Sequence, residues 1–360
     1  MTIKMPDRLG QLRTYMQAQH IDAFLISSLS HIRYLFHFSG SSALAVVTPE
    51  KCALVTDNRY RDQAQRQVTN AEVYIAERSF FHAVRDKKII RAGMKIAFEA
   101  AHITFQEFSR LHTTFKSSML VDTEYIIDKI VMEKTPDELA KTRMACEISC
   151  GIWQEIVSMI KPGVAEKEIA AEISYRSKLA GADKDAFDII VASGWRSALP
   201  HGIASEKKLE IGDFVVIDYG CSYAGFNSDI TRTVILGNPT KKQRAMYDAV
   251  KEANERARAA VRTGMTAIEL DGVARKFLAE KGYQKAFSHS LGHGLGIDVH
   301  CLPRIGLKSM NSIQVGSIIT IEPGVYFPDF GGVRIEDDLY IGENDVELLT
   351  PLDRDLLILG

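Results

Sequence analysis

Over the first third of the chain, short apolar runs alternate with polar, helix-like stretches. Ala23–Ile26, Ala43–Val47, Ala53–Val55 and Lys95–Phe98 have the length and apolar content of buried strands. Leu9, Leu12 and Met16 recur at helical spacing ahead of them. No phosphate loop and no GxGxxG follows any of these runs, so residues 1–130 read as a smaller α/β domain that packs, shapes a cleft or assembles subunits. The pattern changes at Lys134-Thr135-Pro136-Asp137-Glu138. Thr135 suits an N-cap, Pro136 the first helical position, and Glu138 completes a capping box, which predicts a helix towards Met159 stopped by Lys161-Pro162-Gly163.

From there the pattern occurs twice. LEIGDFVVIDYG (Leu209 to Gly220) aligns without a gap on IQVGSIITIEPG (Ile313 to Gly324), matching Gly212 to Gly316, Asp218 to Glu322 and Gly220 to Gly324. The helical stretch between Gly163 and Gly181 parallels the one between Gly264 and Gly282, with Ile169 and Ile173 on the apolar face of the first and Leu270, Val273 and Phe277 on that of the second. Residues 135–360 therefore read as two copies of a helix-then-hairpin unit. In each copy an apolar run delivers an acid to a strand end, and a second acid follows: Asp229 after Asp218, Glu336 after Glu322. Two such units about a pseudo-twofold bring four carboxylates to one centre. Close acids repel, so the set requires shared protons or cations.

Size and charge narrow the classes. The 360 residues suffice for two domains, and the 46% hydrophobic and 25% charged fractions are those of a water-soluble globular chain. A net charge of -2 with no basic run argues against nucleic acid or an anionic membrane as partner. No apolar run approaches the ~20 residues of a membrane span. The first twenty residues lack the apolar core of a signal peptide, so a cytoplasmic location is expected. Five cysteines without a CxxC pair fit reduced thiols.

Four of the ten histidines, His201, His289, His293 and His300, fall in the corresponding connections of the two repeats. The others, His31 and His102 among them, read as surface or core residues. His293 stands between Gly292 and Gly294, where close backbone approach favours a ligand. Asp218, Asp229, His293, Glu322 and Glu336 offer carboxylate oxygen and one imidazole nitrogen. That donor set suits two divalent cations such as Mn²⁺ or Co²⁺ better than a sulfur-rich zinc site would. A pair of such ions activates water towards a carbonyl, and amide hydrolysis is the obvious use.

The motifs ALPHG, VVIDYG, NSDITRT, SLGHGLGIDVH, IEPGVY and GGVRIED resemble those of the pita-bread metallopeptidases, within them the proline-peptidase branch of aminopeptidase P and prolidase. SHIRYLFHFSGS and LVTDNRYRDQA are similar to that branch's N-terminal domain, so the resemblance spans the chain. It implies an α+β architecture: a C-terminal pita-bread fold with an internal pseudo-twofold repeat, preceded by the smaller α/β domain. It also implies that Asp229 and Glu336 bridge two metals, with Asp218 completing one and His293 and Glu322 the other. Manganese is then the expected metal, cobalt or zinc the alternatives. Glu322 would also carry a proton towards the leaving nitrogen, and His201 and His300 would hydrogen-bond the substrate. His289 and Tyr326 match the wall of a proline pocket, Arg334 an arginine beside the bridging glutamate, and Arg304 a position that is arginine in some prolidases.

The implied substrates are small peptides with proline in second position, and the implied assembly is a homodimer. Xaa-Pro aminopeptidase action is the first reading, and an Xaa-Pro dipeptidase restricted to dipeptides is the alternative. A creatinase-like metal-free hydrolase and a non-catalytic binding module are more distant, because all five ligand positions are filled. Two positions depart from the family pattern. Cys301 stands where an acid usually follows the histidine of DVH, and His37 stands where the N-terminal motif usually has glycine.

Overall fold

The computed structural model describes residues 7–360, so the first six residues of the expected N-terminal domain, and of the twenty read for a signal peptide, lie outside the described residues. The chain divides into two compact units between Val131 and Met132.

The first unit is built on one mixed sheet. Its strands are β1 (Ala23–Ile26), β2 (Ala43–Val47), β3 (Cys52–Thr56), β4 (Glu72–Ile75), β5 (Lys95–Glu99) and β6 (Met119–Thr123), in the order β4-β3-β2-β1-β5-β6. β1, β2 and β3 are buried along their whole length, which is why their sequences are continuous apolar runs. β4 and β6 escape the apolar pattern because they are the sheet's edges and only partly covered.

The helix Leu29–Phe36 ends on His37 in the left-handed conformation, φ 60° and ψ 10°, with its N–H donating to the Arg33 carbonyl. Glycine is at home in that conformation, and a Cβ there costs about 1–2 kcal/mol. The His37 side chain is exposed, so little packing is lost on removing it. His37→Gly is expected to raise stability by about 0.5–1 kcal/mol after the entropy of the freer unfolded chain is deducted. His37→Val should lower it, and the denaturant midpoints of the two variants should move in opposite directions.

In the second unit the duplication is explicit. Helices Pro136–Ile156 and Glu166–Leu179 precede the strand pair Phe214–Tyr219 and Ile230–Leu236. Helices Lys241–Ala260 and Ala267–Glu280 precede the pair Ile318–Ile321 and Asp337–Ile341. The expected capping box of Thr135 and Glu138 is formed, and Thr240 with Gln243 caps the corresponding helix of the second copy. The turn glycines agree in backbone as well as sequence: Gly163 and Gly264 have φ 89° and 81°, Gly212 and Gly316 φ 93° and 80°. A side chain is strained in all four turns.

Each helix pair packs its apolar stripe on its own strands. Ile148, Ile152, Ile169 and Ile173 meet Val215, Ile217 and Val234, while Val250, Ala253, Leu270 and Phe277 meet Ile319, Ile321 and Leu339. Burying each large aliphatic or aromatic side chain is worth roughly 1.5–3 kcal/mol gross. Both sheets thereby hold their strand ends in fixed register, with Asp218 opposite Thr231 and Ile321 opposite Asp337.

Candidate metal centre and active site

Asp218 lies one residue from the end of its strand, Asp229 just ahead of the antiparallel partner. The tight turn between them is made by Ala224 and Gly225, both at positive φ, which lets Tyr223 pair with Phe226. Glu322 directly follows Ile318–Ile321, and Glu336 directly precedes Asp337–Ile341. Because these are equivalent ends of duplicated strand pairs, the four acids converge. His293 joins them from the short strand Gly292–Gly294, paired on both sides with backbone. A Cβ at Gly292 would fall 2.0 Å from the Thr320 carbonyl oxygen, and one at Gly294 2.0 Å from that of Leu302, so the histidine's neighbours must be glycine.

His293 Nε2 stands 3.7 Å from Asp229 Oδ2 and 3.6 Å from Glu322 Oε1. Ligand atoms of Asp229, His293 and Glu336 lie within 4.8 Å of one another. His293 Nδ1 donates to the Gly294 carbonyl at 3.1 Å, which leaves the Nε2 lone pair towards the acids. Arg334 donates to Asp218 Oδ2 at 2.5 Å, to Thr231 Oγ1 at 3.2 Å, to the Tyr326 hydroxyl at 2.8 Å and to the Pro200 carbonyl at 3.2 Å. The guanidinium thus bonds Asp218 directly and reaches Glu336 through Thr231 Oγ1, while its charge acts on both.

The electrostatics of this set favour a bound positive charge. Burial and the charges of Glu336 and Asp218 push the Asp229 carboxyl well above the usual range, and burial and the charges of Glu322 and Asp218 do the same to Glu336. Glu322 is pushed up to about 8 by burial and Asp218, against the pull of Arg334. Burial and His300 hold the His293 imidazole down at about 4, so it is neutral at physiological pH, the form that can ligate a metal. Asp218 Oδ1 is buried without a hydrogen-bond partner. Four acids facing one guanidinium, an orphaned carboxylate oxygen and an imidazole lone pair fit divalent cations. Asp218, Asp229, His293, Glu322 and Glu336 would hold them.

The centre forms part of the lining of a cavity of about 640 Å³, also lined by His201, His289, His300, Cys301, Arg304 and Arg334. The His293 and His300 rings are 4.4 Å apart between centroids. Tyr326 differs from its expected place in the pocket wall. It is buried one layer behind, its hydroxyl bonded to His289 Nε2 at 3.0 Å and to Arg334, because the hydroxyl of a buried tyrosine needs partners. His289 Nδ1 donates to the Ser290 carbonyl, so Nε2 accepts from Tyr326. Cys221 is a packed thiol whose pKa burial pushes up.

Three supporting residues carry no signal that sequence reasoning used. Thr231 Oγ1 donates to Glu336 Oε2 at 2.6 Å, and Asp338 Oδ2 accepts from the Asp229 backbone N–H at 2.9 Å. Asn254, fully buried on the helix Lys241–Ala260, donates to the carbonyls of Ile321 and Ile335, the residues just before Glu322 and Glu336. A lone polar residue within an apolar helix stripe was the available clue to Asn254.

A duplicated α+β unit with an acid-rich centre at its strand ends defines a pita-bread metallopeptidase. Residues 140–343 match metallopeptidase family M24, and residues 8–132 match the creatinase/prolidase N-terminal domain. The chain belongs to metallopeptidase family M24 and is an enzyme of that class. It is 40% identical to the Xaa-Pro dipeptidase of Pyrococcus furiosus over 98% of this chain and 100% of that one. A solved Xaa-Pro dipeptidase from Bacillus anthracis superposes with a TM-score of 0.94 at 35% identity, covering 98% of this chain and 99% of that one. The X-Pro aminopeptidase of Thermotoga maritima gives 0.87 at 37% identity, covering 97% and 99%. Among the described residues no helix is long and apolar enough to cross a membrane.

Proposed function

We propose that this chain is a metal-dependent Xaa-Pro dipeptidase, using two divalent ions, manganese by expectation, to release the residue in front of proline from a free dipeptide. The observation that carries the reading is the acid-rich centre set in a cavity of about 640 Å³, a size that suits a small ligand held by a few polar groups. The full-length likeness to proteins named Xaa-Pro dipeptidase supports the dipeptidase over the aminopeptidase taken as the first reading of the sequence.

When bound, the metal pair supplies Lewis acidity that makes a water nucleophilic at neutral pH and offsets negative charge developing on the scissile carbonyl. The chain's own residues do the rest. His201 and His300 line the cavity as hydrogen-bond donors to the substrate carbonyl oxygen. Glu322, beside His293, is the carboxylate placed to accept a proton and return it to the proline nitrogen, a tertiary amide that cannot leave unprotonated. Arg304, exposed on the same wall, is the cation for the dipeptide's free carboxylate.

With manganese supplied, Ala-Pro is expected to be cleaved at least about tenfold faster than Ala-Pro-Ala, the worth of one hydrogen bond to a charged group. Product analysis of both peptides checks it. The second reading, an Xaa-Pro aminopeptidase, rests on the likeness to the Thermotoga protein. Release of alanine from the tripeptide at an equal or greater rate would establish it instead.

A further inference from the structure

In the first unit, well away in sequence from the acids described above, a second constellation carries no assigned role. His31 lies on the helix Leu29–Phe36, Glu99 at the end of β5, His102 on the turn that follows it, and Asp128 on the helix Ile126–Ile130. Glu99 is buried and accepts from the backbone N–H groups of Ser27 at 2.7 Å and Ser28 at 2.9 Å, while its other oxygen takes the Nδ1 hydrogen of His31. With Nδ1 turned to Glu99, the other ring nitrogen, Nε2, lies 3.8 Å from Asp128 Oδ1. The His102 ring stands edge-on to that of His31, with centroids 5.2 Å apart. His102 is held on its turn by its N–H to the Glu99 carbonyl at 3.1 Å and by Ser27 Oγ to its own carbonyl at 3.4 Å.

Ligand atoms of His31, His102 and Asp128 all lie within 4.8 Å of one another. Four-coordinate zinc with bonds of about 2.0–2.1 Å separates its ligands by ~3.4 Å. His31 and Asp128 are already near that spacing at 3.8 Å, and the exposed His102, on a turn, lies within 4.8 Å of both, so it has at most about 1.4 Å to close. An adjoining cavity lined by Glu99, His102, Tyr125 and Asp128 has a volume of about 10 Å³, room for a single water as fourth ligand. A carboxylate behind a ligating imidazole is the arrangement that orients such histidines and raises their basicity.

We propose that His31, His102 and Asp128 form a binding site for one transition-metal cation of the zinc type, with Glu99 orienting His31. Two imidazoles and one carboxylate favour Zn²⁺ over the harder ions that an oxygen-rich centre suits. A metal there ties the helix Leu29–Phe36, the turn after β5 and the helix Ile126–Ile130 together, so its role is to stabilise the first unit. The competing account is a protonated His31 clamped between Glu99 and Asp128, which needs neither a metal nor His102.

Full-length protein stripped with chelator is equilibrated with Zn²⁺ alone, and zinc per chain is measured by elemental analysis for wild type, His102→Ala and Asp128→Asn. Both variants are expected to hold about one equivalent less than wild type. The comparison is repeated in an Asp229→Asn/Glu336→Gln background, so that zinc taken up by the catalytic unit is minimised. The same equivalent should be lost there, and the Zn²⁺-induced rise in melting temperature should vanish with it. His102 is exposed, so its removal leaves the fold intact, as circular dichroism would verify. Unchanged zinc content and an unchanged melting shift in His102→Ala would overturn the site and leave the imidazolium clamp.

Discussion

Asp229→Asn is expected to lower turnover by about 10³-fold or more while leaving the fold intact. The residue stands where the two strand pairs meet, within ligand distance of both His293 and Glu336, so no other acid of the set can take its place. An amide keeps the shape and one oxygen but loses the charge that holds a divalent cation. The backbone N–H at 229 still donates to Asp338, so the loop's anchor is retained. Removing one charge from a buried cluster of like charges also relieves repulsion, so the metal-free variant should melt at or above the metal-free wild type. Turnover on Ala-Pro, metal content per chain and paired melting curves measure these effects. Near-normal turnover in the variant would remove Asp229 from the centre.

The second large effect concerns pH. Stripped of metal, the protein is expected to lose stability steadily as pH rises from about 6.5 to 9, and manganese should restore it. Burial raises the Asp229, Glu322 and Glu336 carboxyls above their unfolded values, Glu322 to about 8. A group raised on folding contributes stability that is complete below its unfolded pKa and is lost as pH climbs through the folded value. His293 and His289, both lowered to about 4 chiefly by burial, act in the opposite sense, and their contribution is lost as pH falls from 6.5 to 4. Above pH ~7.5 both imidazoles are neutral in either state, and between 6.5 and 7.5 their opposing slope is smaller than that of the raised acids, which include Asp338, pushed up to about 8 chiefly by burial. A divalent cation replaces the protons, and its stabilising effect must therefore grow with pH. Urea midpoints of chelator-treated protein at pH 6.5 and 9, each with and without manganese, measure it. A flat profile without metal would mean that the carboxyls are not driven together as described.

The acids that make the centre were legible because the duplication puts them at equivalent strand ends, and a strand buried on both faces writes itself as an unbroken apolar run such as Phe214 to Ile217. Edge strands have no such signature, which is why Glu72–Ile75 and Met119–Thr123 passed unread. The choice between aminopeptidase and dipeptidase was also beyond the motifs. It depends on the wall beyond the centre, which is assembled from three stretches of the chain, around Phe187, Ile203, and Val299 to Arg304.

Local pattern alone determined where the buried strands and capped helices run, that the second half is a repeat, and that four carboxylates share a centre, because these follow from periodicity and from matching positions along the chain; His293 was legible from the glycines on either side of it. Tertiary structure alone decided that Arg334 sits on Asp218, that Tyr326 stands behind His289, that Asn254 pins the two strand ends, and that His31, His102 and Asp128 converge. Those are contacts between side chains far apart in the chain. Their distances are fixed by how sheets and helices pack, and no spacing along a sequence encodes them.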